Sequence, residues 1–205
     1  DFDPQKIINV LTWATENTSI DPYVFFEDVK PQLQDDMSTA HIQDLLIKFA
    51  ANMITELEPD YQFVAANLQQ FALRKKVYGR FTPVDLYTHV NNCISKGVYD
   101  PEIIEKYSKE EIDFLNEKID HNRDFTYSYA GSSQLIEKYL VQDRSTGTLF
   151  ETPQMALMLI GMCLHQEEKQ NRLEHVVEFY DTASLQQISL PTPIMAGVRT
   201  PTRQF

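Results

Sequence analysis

The residues best placed to do chemistry lie near the end of the chain, where two prolines flank a threonine. Pro191 and Pro193 bracket Thr192, and a proline restricts the residue before it to extended backbone conformations. Prolines also lack an amide donor, which suits a loop or the end of a strand. The spacing predicts a stiff extended segment over 187–205. It either presents the Thr192 hydroxyl to another group or packs as an irregular strand under the helices.

The two cysteines are the other candidates for reactivity. Cys93 and Cys163 lie within apolar helical patterns, and neither has a histidine or cysteine neighbour at metal-binding spacing. We therefore predict core thiols in a reducing cytoplasm, with no metal site.

Composition favours a helical protein that does not bind nucleic acid. With 205 residues and 42% apolar content, the chain can bury a core, and ten prolines against six glycines fit helices better than short strands. A net charge of −12 argues against nonspecific binding to nucleic acid, although a few local cations could still bind a small anion. The apolar run over 155–164 is shorter than the roughly 20 residues that span a bilayer, and no secretory signal precedes it. We expect no membrane association and a cytoplasmic location.

Cap residues and apolar spacing predict two sets of elements. Four helices come first, from Pro4 to about Asn17, from Pro22 towards Leu33, from Ser38 or Thr39 to Ile54, and from Pro59 to Lys76. Later elements are a helix from Thr82 to Gly97, a capping box at Ser108, a hairpin around Arg144–Gly147, an apolar helix after Thr152, and a helix over Leu173–Ala183.

Several strings resemble a known family. SLPTPIMAGVRTPTRQF, over 189–205, is similar nearly letter for letter to the entry to the catalytic barrel in class I ribonucleotide reductase large subunits. LRKKVYG, GVYDPEIIEKYS and KYLVQDR resemble earlier blocks of the same subunit. The resemblance implies a mainly α fold in three parts. These are a four-helix ATP-cone-like module over 1–79 without its first strands, a helical domain with a short β-hairpin over 80–186, and an extended segment entering an α/β barrel over 187–205.

The same resemblance implies reduction of ribonucleoside diphosphates to deoxyribonucleoside diphosphates. The family uses catalytic cysteines, a small subunit that generates a radical at a di-iron or related centre, and thioredoxin or glutaredoxin as the dithiol reductant. Its first redox cysteine would come after Phe205, and neither Cys93 nor Cys163 matches a catalytic thiol. We therefore expect no catalytic residue in this chain. Activity would need the remainder of the large subunit, on the same polypeptide or on a second one.

The resemblance also implies binding residues. Thr192 would contact the phosphate end of the substrate, and Lys6, Thr39 and Lys75 would surround an allosteric ATP or dATP with its magnesium. Lys6 also opposes the dipole of its predicted helix, which is easier to explain if it faces an anion. Gln43 stands where many dATP-inhibited members carry histidine, so we expect inhibition by dATP to be altered or lost. In this respect the chain resembles the versions of the subunit carried by bacterial viruses.

Alternatives remain at three points. Arg199 and Arg203 could bind phosphate, although a packing or interface salt bridge explains both more simply. The chain could be a stand-alone nucleotide-sensing ATP-cone module without catalysis, or a helical scaffold. Its end at Phe205 fits an expression fragment, an end in disorder or a natural split of the enzyme.

Overall fold

The computed structural model describes residues 3–202, which are mainly helical. The chain divides into two compact units. One comprises the chain up to Leu73 together with Phe125–Gln134, and the other comprises Arg74–Asp124 and the chain from Leu135 onward. No helix within residues 3–202 has both the length and the apolarity to cross a membrane.

The first unit is built from the four predicted helices and one short helix that comes later in the chain. These are α1 (Pro4–Ala14), α2 (Pro22–Val29), α3 (Thr39–Asn52), α4 (Tyr61–Tyr78) and α8 (Tyr129–Gln134), and a 3₁₀ turn over Lys30–Gln32 follows α2. The boundary between the two units falls within α4, after Leu73.

Helix starts in this unit follow the predicted caps. Asp3 accepts a hydrogen bond from the Gln5 amide with Pro4 as the first helical residue, and Asp21 caps α2 in the same way. Of the two candidates for α3, Ser38 is the cap, because its hydroxyl accepts from the amide of His41 at 3.2 Å.

Aromatic side chains fill the core of the first unit. Phe25 is fully buried and packs edge-to-face on Phe49, with ring centroids 5.1 Å apart, and lies 5.9 Å from the ring of Tyr61. The Asn67 side chain donates to the carbonyl of Ala14 at 2.9 Å, which ties α4 to the end of α1. The four-helix module predicted from the first part of the chain is confirmed.

The second unit contains the remaining elements. These are α5 (Leu86–Ser95), α6 (Glu102–Lys106), α7 (Lys109–Asn116), β1 (Gln142–Asp143), β2 (Thr148–Leu149), α9 (Pro153–His165), α10 (Arg172–Ser184) and α11 (Thr192–Gly197), with a π-helical turn over Leu135–Tyr139. A 3₁₀ segment over His121–Thr126 contains the boundary between the units, which falls after Asp124. The strands form an antiparallel hairpin in which Gln142 pairs with Leu149 and Asp143 with Thr148. Gly147 has a φ of +71°, as the predicted turn requires.

Helices α9 and α10 pack tightly against each other at Gly161. An added Cβ at Gly161 would lie 2.9 Å from the ring of Phe179 and 3.3 Å from the carbonyl of Val176, so only glycine permits this approach. The predicted apolar helix is therefore the centre of the second core, and most of its residues are buried.

Three sequence expectations need correction. The helix expected from Thr82 begins at Leu86, because Asp85 caps it by accepting from the amide of Thr88. Thr152 precedes α9 but makes no side-chain capping hydrogen bond. The segment expected to be extended over 187–205 contains α11, which begins at Thr192.

The prolines bracket α11 instead of preventing it. Pro191 is the extended residue before the helix, with φ −69° and ψ 152°, and Pro193 lies in the first turn. An amide in the first turn has no partner inside the helix, so proline costs little there. Met195 closes the first turn by donating its amide to the carbonyl of Pro191 at 3.1 Å.

Candidate functional sites

Two of the predicted nucleotide-binding residues lie in the first unit. Lys6 is in the first turn of α1 and Thr39 is the first residue of α3, and both are exposed. Neither the Lys6 ammonium nor the Thr39 hydroxyl bonds to another side chain within residues 3–202. Both groups are therefore accessible to a ligand.

Gln43 lies one turn further along α3 and is half-buried. Its side-chain amide donates to the carbonyl of Leu68 in α4 at 3.0 Å. This hydrogen bond gives Gln43 a role in joining two helices of the first unit, and a neutral amide adds no charge beside Thr39.

Lys75, the third predicted nucleotide-binding residue, is exposed near the end of α4 and belongs to the second unit. A cation in the last turn of a helix is also stabilised by the helix dipole. The role of these three residues in nucleotide binding stays a prediction.

Thr192, the predicted substrate-binding residue, is exposed at the start of α11. Its hydroxyl has no hydrogen-bond partner within residues 3–202, and Pro191 and Pro193 hold the backbone on either side. The side chain is therefore available, although its backbone is helical instead of extended.

Arg199 is a structural residue, as the simpler of its two interpretations predicted. Its guanidinium forms a fully buried ion pair with Glu151, in which Nε donates to Oε2 at 2.8 Å and Nη2 donates to Oε1. It also donates to the carbonyls of Met195 and Tyr139. The guanidinium is fully buried and most of its N–H groups are already bonded, so it is not accessible to a phosphate. Arg203 lies outside the described residues.

Glu151 is the centre of a buried network that sequence reasoning missed. It accepts from the amide of Val141 at 2.6 Å and from the hydroxyl of Tyr99. Burial opposes ionisation of this carboxyl, but Arg199 and the hydrogen bonds outweigh burial and hold its pKa below the usual value. An isolated acid directly before an apolar helix was the available sequence signal.

The network ends at His89. Its Nε2 lies 3.0 Å from the Tyr99 oxygen, and because Tyr99 gives its proton to Glu151, Nε2 must be the donor. Burial lowers the pKa of His89 to about 4, so the ring is neutral at physiological pH. Cys93 is buried nearby with its Sγ 4.0 Å from the same nitrogen, and burial raises the thiol pKa to about 12. A thiol of such high pKa is a poor nucleophile.

A second buried ion pair joins Arg74 and Asp124. Nη2 of Arg74 lies 3.0 Å from Oδ2 of Asp124, and the guanidinium also donates to the carbonyl of His121 and lies over the ring of Phe81. The other carboxylate oxygen accepts from the amide of Gln154 at 3.2 Å. Burial raises the pKa of Asp124 to about 6, although Arg74 opposes the shift.

A third cluster, also missed from the sequence, lies between α9 and α10. Glu168 accepts from Nδ1 of His165 at 2.7 Å and from Nδ1 of His175. These hydrogen bonds lower the pKa of Glu168, and the one with His175 raises the pKa of that histidine. No regular spacing in the sequence joins the three residues, because Glu168 lies in the loop between the helices.

An open groove of the second unit is lined by Phe114 of α7, by Lys118 just after that helix, and by Val177 and other residues of α10 and the loop that follows α10. Its charged lining consists of Glu174, Glu178 and Asp181 against the single cation Lys118. This balance disfavours a phosphate ligand in the groove.

Two known domain families match different parts of the chain. The profile of the ATP cone domain matches residues 1–76, and the profile of the ribonucleotide reductase all-alpha domain matches residues 125–203. The first match covers α1, α2, α3 and all of α4 except its last two residues. The second covers the hairpin, the apolar helix and the segment that carries Thr192.

Similar proteins match almost the whole chain. The ribonucleoside-diphosphate reductase subunit alpha of Enterobacteria phage T4 is 58% identical over 204 residues, which is 100% of this chain and 27% of that protein. The ribonucleoside-diphosphate reductase 1 subunit alpha of Escherichia coli is 46% identical over 98% of this chain and 26% of its own length. The chain spans about a quarter of the length of these relatives. Because both domain matches and sustained identity agree, the chain belongs to the ribonucleoside-diphosphate reductase alpha-subunit family, as its ATP-cone and all-alpha region.

Proposed function

We propose that this chain supplies the nucleotide-sensing module and part of the substrate site of an enzyme that reduces ribonucleoside diphosphates to deoxyribonucleoside diphosphates. The observation that carries the proposal is the presence of an ATP cone and a reductase all-alpha domain in one chain. A stand-alone nucleotide sensor, the alternative function, has no need of the all-alpha domain or of the segment around Thr192.

The first part of the proposal is allosteric binding of ATP or dATP with magnesium. Lys6, Thr39 and Lys75 would contact the nucleotide, and the exposure of all three supports this assignment. Two ammonium groups would offset part of the phosphate charge in a chain whose net charge is −12, and magnesium would offset more. The position of Gln43 supports altered dATP inhibition, since its amide is bonded to Leu68 and brings no charge.

Nucleotide titration tests this part. The 205-residue chain is titrated calorimetrically with ATP and with dATP in the presence of magnesium. We expect micromolar binding that Lys6→Ala and Lys75→Ala each weaken by about tenfold, which corresponds to about 1.4 kcal/mol of lost charge-assisted contact. Lys76→Ala, which removes the neighbouring exposed cation, should bind like the parent. Equal affinity in Lys75→Ala and Lys76→Ala would contradict the assignment of Lys75.

The second part is contact between Thr192 and the substrate phosphate. A hydroxyl held between two prolines is preorganised to donate to an anionic oxygen. The catalytic thiols, the radical-generating small subunit with its di-iron or related centre, and thioredoxin or glutaredoxin as reductant would be supplied from outside this chain. We place the assembled enzyme in the bacterial cytoplasm, including that of a phage-infected cell.

The Thr192 proposal is tested in an enzyme reconstituted with the rest of the large subunit, the small subunit and a dithiol reductant. Thr192→Val keeps the shape of the side chain and removes the donor, so we expect KM for the diphosphate to rise by about tenfold or more. Thr192→Ser retains the donor and should keep KM near that of the parent. An unchanged KM in Thr192→Val would exclude the contact, and turnover without the small subunit would exclude the proposed source of the radical.

A further inference from the structure

The cluster of His165, Glu168 and His175 has the composition of a metal site. Two imidazole nitrogens and one carboxylate oxygen, all within 4.8 Å of one another, are the ligand atoms available. Imidazole and carboxylate ligands suit zinc and related divalent transition metals, and two histidines with one glutamate form a known zinc ligand set. From this arrangement we infer that His165, Glu168 and His175 bind a divalent transition-metal ion such as Zn²⁺.

The carboxylate brings the two ring nitrogens towards a common point. Both Nδ1 atoms face oxygens of Glu168, and the two rings lie 5.9 Å apart between centroids. Zinc bonds of about 2.0–2.2 Å place ligand atoms on neighbouring vertices of a tetrahedron, a few ångströms apart, so small side-chain rotations would enclose an ion. Three protein ligands would leave a fourth position for water.

The surrounding structure holds the ligands in place. His165 is the last residue of α9 and His175 lies in the first turn of α10, and these helices pack closely through Gly161. Arg172, the first residue of α10, donates to the carbonyl of Lys106 at 3.0 Å and to the carbonyl of Gln166, in the intervening loop, at 3.5 Å. The ligands therefore lose little conformational freedom on binding an ion.

The residues of the cluster separate this site from the proposed function. None of them is in the nucleotide-binding set, and none is Thr192, although Lys75 and Thr192 belong to the same unit as the cluster. A bound ion would join the end of α9 to the start of α10. Its role would be to stabilise that turn, and it can be tested without enzyme activity.

The test is titration of the chelator-treated 205-residue chain with Zn²⁺ by calorimetry at pH 7.5, and with Co²⁺ by absorption spectroscopy. We expect one ion to bind per chain. Zn²⁺ should also raise the midpoint temperature of thermal unfolding. His165→Gln, Glu168→Gln and His175→Gln should each weaken binding by at least about tenfold, since even residues outside the ligand set affect metal affinity by 10- to 100-fold. Glu167→Gln, which changes the adjacent exposed carboxylate, and His41→Gln should bind like the parent.

Several outcomes would overturn the inference. One is the absence of saturable binding of a single ion. Another is equal affinity of Glu168→Gln and Glu167→Gln for Zn²⁺. A third is an intense Co²⁺–thiolate absorption band, which would show that a cysteine binds the ion. Circular dichroism of each variant checks its fold, and because His175 and Glu168 have side chains 44% and 37% exposed, their substitution should leave the fold intact.

Discussion

Arg199→Met is expected to lower the free energy of unfolding by about 3–5 kcal/mol, because it leaves the Glu151 carboxylate buried without its cation. The pair is fully buried, and Arg199 also supplies hydrogen bonds to Met195 and Tyr139. Glu151→Gln should cost a similar amount, since a neutral amide cannot match the guanidinium. Urea unfolding of the 205-residue chain, followed by circular dichroism, measures both changes.

A control and a double variant separate charge from packing. Arg144→Met removes an exposed arginine in the hairpin turn and should change stability by less than about 0.5 kcal/mol. Replacing both partners, as Glu151→Leu with Arg199→Met, removes the unpaired charge and should recover much of the loss. A cost below about 1 kcal/mol for Arg199→Met would show that the ion pair is not the main support of this network.

Acid should weaken the same network. His89 has a pKa of about 4 in the folded chain against about 6.5 when unfolded, so the unfolded state binds the extra proton between these values. Stability is therefore lost as pH falls from 6.5 towards 4, by up to about 1.4 kcal/mol per pH unit for this group. Glu151, whose pKa is lowered, adds its own loss below its unfolded pKa near 4.5. In His89→Gln the loss of stability that is due to protonation of His89 should disappear. If the free energy of unfolding of this variant depends on pH between 6.5 and 5 as steeply as that of the parent, the lowered pKa of His89 is contradicted.

Arg74→Met is expected to destabilise the chain by about 3–5 kcal/mol at pH 7.5 for the same physical reason. Asp124 is completely buried, and Arg74 is the cation that pairs with it at 3.0 Å. Without the guanidinium, burial would raise the pKa of Asp124 above its present value of about 6. Urea unfolding gives the size of the loss.

The pH dependence of this loss identifies its cause. A carboxyl whose pKa is raised in the folded state favours folding most when it is protonated. Its contribution to the free energy of unfolding is therefore lost as pH rises from the pKa of the unfolded state to that of the folded state. The cost of Arg74→Met should therefore be smaller at pH 5 than at pH 7.5. Lys76→Met, the matched change of an exposed cation in the same helix, should cost less than about 0.5 kcal/mol at both pH values. Equal costs of Arg74→Met at pH 5 and 7.5 would point to lost packing on Phe81 instead.

Local signals predicted most of the helices correctly. Asp3, Asp21 and Ser108 cap the helices that follow them, and the capping box of Ser108 with Glu111 is present in full. These contacts join residues within one turn, so the sequence around them contains the whole interaction. The short α6 and the 3₁₀ segment at His121 were missed because neither has an extended apolar period.

Proline at the start of α11 shows where a local rule was applied too broadly. The preference of a pre-proline residue for extended backbone was assigned to Thr192, but the first turn of a helix accepts Pro193. Candidate residues such as Thr192, Lys6, Thr39 and Lys75 came from resemblance to a family and not from spacing. Their exposure agrees with the ligand binding that we propose.

The local sequence determines the helix caps, the apolar helix at 153–165 and the hairpin turn, because each depends on neighbours a few residues away. The tertiary structure alone pairs Glu151 with Arg199, Arg74 with Asp124, and His165 with His175 through Glu168. The first two pairs join residues about fifty positions apart, and burial decides whether their charges matter. Long-range pairing and desolvation are properties of the folded chain. Local sequence patterns therefore could not predict the two buried ion pairs, whose loss is expected to change stability most.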